Sequence, residues 1–210
     1  MQIQKFVLGD FQTNSFVLSA DENTKDCLII DTGLESSPLI DYLKQNNPNP
    51  IAAIFTHGHA DHVMGVNALR ENFPDIKVAI HKNDAEMLTR PTLNMSPLAG
   101  AMFKADPAEI IIENEGPVEF AGIILDVLFT PGHTQGGICL YSEDDEVVFA
   151  GDALFATSIG RTDLPGGNYK QLIESIKTKL LTLPGRTKVF TGHGPDTTIE
   201  TEKNYNQYLI

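Results

Sequence analysis

The segment Thr56-His57-Gly58-His59-Ala60-Asp61-His62 gathers three imidazoles and one carboxylate within six residues, directly after the apolar run Ile51-Ala52-Ala53-Ile54-Phe55. Such groups are costly to desolvate together, and between them they offer nitrogen and anionic oxygen donors that suit Zn, Fe or Mn. A metal site is the chemistry this pattern predicts; the alternative is a solvated polar loop. The spacing differs from the helical HExxH arrangement, which places two histidines one turn apart on one face. Here Gly58 alone separates His57 from His59, which calls for an extended turn. Gly58 and Ala60 let the backbone coil tightly, and Asp61 and His62 lie just before the helical pattern Val63–Arg70, so the cluster reads as a strand-to-helix loop.

Three later segments share this grammar of apolar strand, small or turn residues, then a ligand-type side chain. They are Leu128-Phe129-Thr130-Pro131-Gly132-His133, Val147-Val148-Phe149-Ala150-Gly151-Asp152 and Val189-Phe190-Thr191-Gly192-His193. Four strand ends are thus expected to deliver their side chains to one rim, with glycines where backbone must pass close to an ion or a neighbouring loop.

The elements that must build this rim follow from periodicity. Residues 2–8, 14–19 and 26–30 read as strands, closed by Asp31-Thr32-Gly33. A helix is expected over Ser36–Asn47, with Pro38 in its first turn and the Asn46-Asn47-Pro48-Asn49-Pro50 run as its stop. Strand 51–55, a helix near 62–72, strand 77–80 and a short helix 83–89 then alternate as α/β units do. Residues 90–107 are apolar without a period and read as a covering loop or short helical pieces. Strands follow at 118–120, 123–129, 137–141 and 146–149, then a helix 168–183, a strand 188–190 and a closing helix 199–209. This order predicts two sheets packed face to face with helices outside, in a single domain over residues 1–210.

Composition narrows the partners. A formal net charge of −13 with no long basic stretch argues against nucleic acid, although two divalent cations would reverse the potential locally and admit an anionic small molecule. Cys27 and Cys139 lie inside apolar runs and are expected to be buried and free. No membrane-spanning window or signal-like start is present, so a soluble cytoplasmic protein is expected; the sequence does not indicate an oligomeric state.

The ordered set His57, His59, Asp61, His62, His133, Asp152 and His193 resembles the ligand set of the metallo-β-lactamase superfamily, and the resemblance spans the whole chain. It implies an α/β (α+β) fold, the αββα sandwich: two mixed sheets with helices on both outer faces and metals at one edge. Within that superfamily, Gly151-Asp152-Ala153-Leu154-Phe155 followed by Ile159-Gly160-Arg161-Thr162-Asp163-Leu164-Pro165-Gly166-Gly167 is similar to the glyoxalase II (hydroxyacylglutathione hydrolase) branch and its persulfide dioxygenase relatives.

Carried over by position, the resemblance implies that His57, His59 and His133 hold one divalent ion and Asp61, His62 and His193 a second, with Asp152 bridging. Zinc is the first expectation, with iron or manganese also compatible. Electrostatics favours such a bridge independently, since two dications about 3.5–4 Å apart repel strongly unless anions lie between them. The implied activity is hydrolysis of small acyl-thioesters such as S-lactoylglutathione, with hydroxide between the ions as nucleophile and Asp61 and Asp152 as the catalytic carboxylates. Two alternatives stand beside it: a mononuclear Fe(II) persulfide dioxygenase using His57, His133 and Asp152, and a non-catalytic metal-binding module.

Arg161 is either a surface arginine or a ligand for a substrate carboxylate, and Tyr169 is a weaker companion, more suited to packing. His81 ends the strand Lys77-Val78-Ala79-Ile80 with no glycine before it, has no counterpart among the ligands the resemblance implies, and reads as structural. Asp31 is either a turn residue alone or an acceptor that orients a ligand imidazole. Glyoxalase II enzymes continue into a basic C-terminal helical domain that grips glutathione; this sequence ends at Ile210, from which a more open, permissive site is expected.

Overall fold

The computed structural model describes residues 1–210. The first sheet takes its strands in chain order: β1 (Gln2–Leu8), β2 (Thr13–Ser19), β3 (Asp26–Ile30), β4 (Asn49–Ile54), β5 (Lys77–His81) and β6 (Ile110–Ile112). The β1–β2 and β2–β3 pairs are antiparallel, and β3 to β6 run parallel. Parallel neighbours need crossovers, and helices α1 (Ser37–Asn46), α2 (Ala60–Val63) and α3 (Val66–Asn72) lie in two of them. The β5–β6 crossover holds a 3₁₀ turn at Ala85–Leu88, helix α4 (Pro91–Asn94) and a second 3₁₀ turn at Ser96–Ala99.

The second sheet contains β7 (Gly116–Phe120), β8 (Ile123–Phe129), β9 (Ile138–Ser142), β10 (Val147–Gly151), β13 (Lys188–Thr191) and β14 (Thr197–Thr198), ordered β14-β13-β10-β9-β8-β7. A small hairpin of β11 (Leu154–Phe155) and β12 (Ser158–Ile159) follows β10. Helix α5 (Tyr169–Ser175) continues into a π-helical turn at Ile176–Leu180, and α6 (Ile199–Tyr205) follows β14.

Side-chain alternation along the strands explains the layering. On β3, Leu28 and Ile30 face the second sheet while Cys27 and Ile29 face α1 and α3. On β10, Val147 and Phe149 face the first sheet while Val148 and Ala150 meet Leu172, Ile176 and Ile199. The inter-sheet core contains Phe16, Phe149 and Phe190, whose rings pack 5.1–5.3 Å apart. The result is the expected αββα sandwich of two mixed sheets, with both cysteines free and buried. No helix is long and apolar enough to cross a membrane.

Several boundaries differ from the sequence expectation for physical reasons. The helix expected near 62–72 is divided at Gly65, whose N–H donates to Gly33 O at 2.9 Å and whose missing side chain would collide with Thr32 and Ser36. The Ile110-Ile111-Ile112 strand is too short to display a period and was not expected, nor were β11, β12 and β14. The helix expected over 83–89 is only a 3₁₀ turn, and the closing helix stops at Tyr205.

Candidate metal centre

Strands β3, β4 and β5 point the same way, as do β8, β10 and β13 in the other sheet. Their C-terminal ends meet along one rim. Asp31 follows β3, His57 to His62 follow β4, His133 follows β8, Asp152 follows β10 and His193 follows β13. The seven candidate ligands of the sequence reading therefore converge, in overlapping groups His57/His59/His133, His57/His62/Asp152 and Asp61/His62/His193.

The spacing within this cluster is informative. Two donors each about 2.0–2.2 Å from one tetrahedral zinc lie roughly 3.3–3.6 Å apart. Around Asp152 Oδ1, Asp61 Oδ2, His62 Nε2 and His193 Nε2, the separations are 3.2 Å (His62–Asp152), 3.5 Å (His193–Asp152), 3.2 Å (His193–Asp61), 3.6 Å (His62–Asp61) and 3.2 Å (His62–His193). The other carboxylate oxygen, Asp152 Oδ2, is 3.5 Å from His133 Nε2, which is 2.9 Å from His59 Nδ1. Asp152 thus turns one oxygen to each group. His57 Nε2 and Asp152 Oδ1 are buried yet have no hydrogen-bond partner, an expensive arrangement for polar atoms unless a cation takes their lone pairs. The residues fit a two-ion site.

Neighbouring groups set the tautomers. His133 Nδ1 is 2.7 Å from Arg161 O and His193 Nδ1 is 2.9 Å from Phe11 O; a carbonyl only accepts, so each Nδ1 carries the proton and each Nε2 is left toward the cluster. Asp31 does more than close a turn. With its backbone in the left-handed region (φ 55°), its carboxylate accepts from Thr56 N–H (2.9 Å), Thr56 O–H (2.8 Å) and His62 Nδ1 (2.8 Å). Because the Thr56 hydroxyl donates to Asp31, its oxygen is free to accept from His57 Nδ1 at 3.2 Å.

Charge is divided unevenly across the cluster. Burial, followed by the neighbouring His62 and His133, pushes His57 well below the usual histidine range. Burial and then His133 push His59 down to about 3. Both rings are therefore neutral near pH 7, as metal ligation requires. Burial would also lower His62, but Asp152, Asp31 and Asp61 outweigh it and raise that ring well above its ordinary value. Asp152 is held well below the carboxylate range: burial works against this, and His62 overcomes it.

Close packing keeps the rim in place. A side chain at Gly192 would overlap Asp152 Oδ1 and the Gly151 backbone. Asn14, buried on β2, donates from Nδ2 to Thr191 O (2.8 Å) and Gly194 O (3.0 Å), tying the first sheet to the His193 loop.

Asp84, overlooked in the sequence, is buried beneath the centre. Its two oxygens accept from Gly58 N–H (3.0 Å) and Gly136 N–H (2.7 Å), clamping the His57/His59 loop to the His133 loop. The available signal was its position three residues past the end of β5, comparable to Asp31 after β3. His81 is structural as expected, stacked on Phe129 with its Nδ1 accepting from Asn83 N–H.

The cluster floors a cavity of about 490 Å³. Arg161 lines this cavity, but its Nε and Nη2 are both paired at 2.8 Å with the Asp163 carboxylate. Tyr169 is half exposed at the start of α5 and does not line the cavity.

Comparison with known proteins agrees with this geometry. The family model described as Metallo-beta-lactamase superfamily matches residues 8–193. The chain belongs to that superfamily. It is 40% identical over 210 residues to the probable metallo-hydrolase YqgX of Bacillus subtilis (strain 168), covering all of this chain and 98% of YqgX. It is 33% identical over 210 residues to the hydroxyacylglutathione hydrolase GloC of Haemophilus influenzae, again covering all of this chain and 98% of GloC. Among solved structures it is similar to the BLEG-1 B3 metallo-beta-lactamase, with 40% identity, 99% of each chain covered and a TM-score of 0.94. TTHA1623 in a di-iron-bound form gives 33% identity, a TM-score of 0.84 and coverage of 98% of this chain and 100% of that one. Membership of this superfamily of metallo-hydrolases is therefore shown.

Proposed function

We propose that the protein is a binuclear metallohydrolase of the glyoxalase II-like branch that cleaves small acyl-thioesters. In this reading His57, His59 and His133 hold one divalent ion, Asp61, His62 and His193 the other, and Asp152 spans both. The observation that carries the assignment is the placement of the Asp152 oxygens, one at 3.2–3.5 Å from His62 and His193 and the other 3.5 Å from His133. Zinc is the metal we propose, with iron or manganese compatible with the same donors; the iron in TTHA1623 makes metal analysis part of the test.

When bound, the ion pair supplies a lowered pKa for a water molecule and polarisation of a carbonyl oxygen. The chain's own residues do the rest. Asp31, Phe11 O and Arg161 O fix three imidazoles through their Nδ1 atoms, so these donors need little reorganisation on binding. Asp61 lines the cavity as a partly exposed carboxylate, which supports the role we assign it, taking the proton of the attacking water. A departing thiolate needs little protonation, so no general acid is required. The substrate is a free small molecule, and we place the protein in the cytoplasm, where its two buried thiols stay reduced.

A mononuclear persulfide dioxygenase would need only His57, His133 and Asp152. It would leave unexplained why Asp61, His62 and His193 close with Asp152 to separations suited to a second ion. The deciding experiment measures metal per chain, S-lactoylglutathione hydrolysis and oxygen uptake on glutathione persulfide, with His57→Ala as control and a β-lactam as a further substrate arm because of the similarity to BLEG-1. Two metals and thioester turnover lost in His57→Ala are expected. Absence of thioester hydrolysis above that control would refute the proposal.

A further inference from the structure

The cavity above the centre is divided by chemistry. Its eight polar lining residues include five of the clustered candidate ligands, leaving only Asn94, Ser158 and Arg161 to recognise the remainder of a substrate. Asn94 is fully buried and already committed: Nδ2 donates to Met87 O (2.8 Å) and Phe103 O (3.1 Å), and Oδ1 accepts from Ser96 N–H (2.9 Å). Arg161 is the cavity's one Lys or Arg, and its guanidinium is bound through two nitrogens to Asp163. The wall is otherwise apolar, chiefly Phe11, Met95, Leu98, Phe155, Ile159 and Leu164. Leu98 is 69% exposed and Phe11 47% exposed, so these side chains border the cavity with much of their surface open. Concave apolar surface beside a polar centre is the usual setting for an apolar ligand group.

We propose that, among small acyl-thioesters, this site favours those with an apolar chain beside the scissile carbonyl, seated against Phe11, Met95 and Leu98, and that the charged ends of a carrier thiol are not read. This rests on the thioester reading for the position of the carbonyl. Glutathione brings two carboxylates and one ammonium, and the cavity presents no unpaired cation to meet them, in a chain of formal net charge −13. The lining instead favours each added methylene by about fourfold in affinity, the transfer effect of one buried CH₂.

The test uses full-length, metal-replete protein and non-hydrolysable thioethers, so that binding is read without turnover. Isothermal titration with S-ethyl to S-hexyl N-acetylcysteamine is expected to show affinity rising about three- to fourfold per methylene. S-hexylglutathione is expected to bind no more than threefold tighter than the N-acetylcysteamine analogue. Leu98→Asp should flatten the chain-length series, with metal content and thermal midpoint as fold controls; Phe11→Ser serves the same purpose if that variant does not fold. A flat series in the unaltered protein, or tenfold tighter binding of the glutathione thioether, would overturn the inference. Failure of the thioesterase reading would appear only in the hydrolysis assay, which these ligands do not enter.

Discussion

Replacing Asp31 by asparagine tests whether the centre depends on proton placement in a side chain that touches no candidate ion. The wild-type carboxylate accepts three hydrogen bonds, two from Thr56 and one from His62 Nδ1, and is 1% exposed. In Asp31→Asn the amide oxygen can keep the Thr56 N–H, but the amide nitrogen then faces His62 with hydrogens. His62 must turn Nδ1 into an acceptor, which moves its proton to Nε2, the atom 3.2 Å from both Asp152 and His193. A protonated Nε2 cannot ligate. Loss of a carboxylate behind a ligating histidine typically costs 10- to 100-fold in metal affinity, roughly 1.4–2.8 kcal/mol. Exchange of a charge-assisted hydrogen bond for a neutral one removes about 1–2 kcal/mol from the metal-free fold. Competition against a chromophoric chelator, with cobalt absorption to distinguish the two positions, should show weakening at the Asp61/His62/His193 position first. An Asp31→Asn protein that binds both metals with wild-type affinity would refute the tautomer argument.

Three further outcomes follow from the same geometry. Asp152→Asn removes an anion facing both halves of the cluster and is expected to lose at least one metal and about a hundredfold or more in turnover, with Asp61→Asn milder and His193→Ala weakening one position; stoichiometry and rates measured side by side check the order. Asp84→Ala leaves the Gly58 and Gly136 N–H groups buried without acceptors, so the metal-free protein should lose about 2–4 kcal/mol in urea unfolding. In metal-free protein, His57 and His59 titrate below their unfolded value of about 6.5, so the unfolded chain takes up protons first and stability falls as pH drops from 6.5 toward 3. His62 and His193 are raised, by their carboxylate neighbours against the effect of burial, so their contribution is present below 6.5 and lost as pH rises through their folded values. Unfolding at pH 5, 6.5 and 8 with chelator should therefore show a maximum near the middle value.

The site was legible because its grammar is local. Each of the four ligand-bearing segments follows an apolar strand and contains a glycine, and parallel strand direction then brings the ends together without any further signal. What the sequence concealed depends on partners distant in the chain. Arg161 reads in the sequence as either a surface arginine or a carboxylate ligand, and only the fold pairs it with Asp163; Tyr169 stands outside the cavity, and Asp84 acquires its role only because Gly136 lies against it. Boundaries failed where tertiary contact overrides period, as at Gly65, where the Thr32 backbone interrupts a helical pattern.

Four of the seven donors leave the sheet completed by β6, and three leave the sheet that begins with β7. The short joint Glu113–Glu115 is all that connects the two sheets in sequence. A nick there would leave two fragments, each with an intact sheet and an incomplete constellation, able to meet only through their apolar inner faces and the shared rim. Reassociation of such fragments would be linked to divalent metal by mass action, so the ion would act as mortar between the halves. During synthesis the consequence is temporal: the first half emerges with four donors and no Asp152, and the constellation closes only once β13 has docked beside β10.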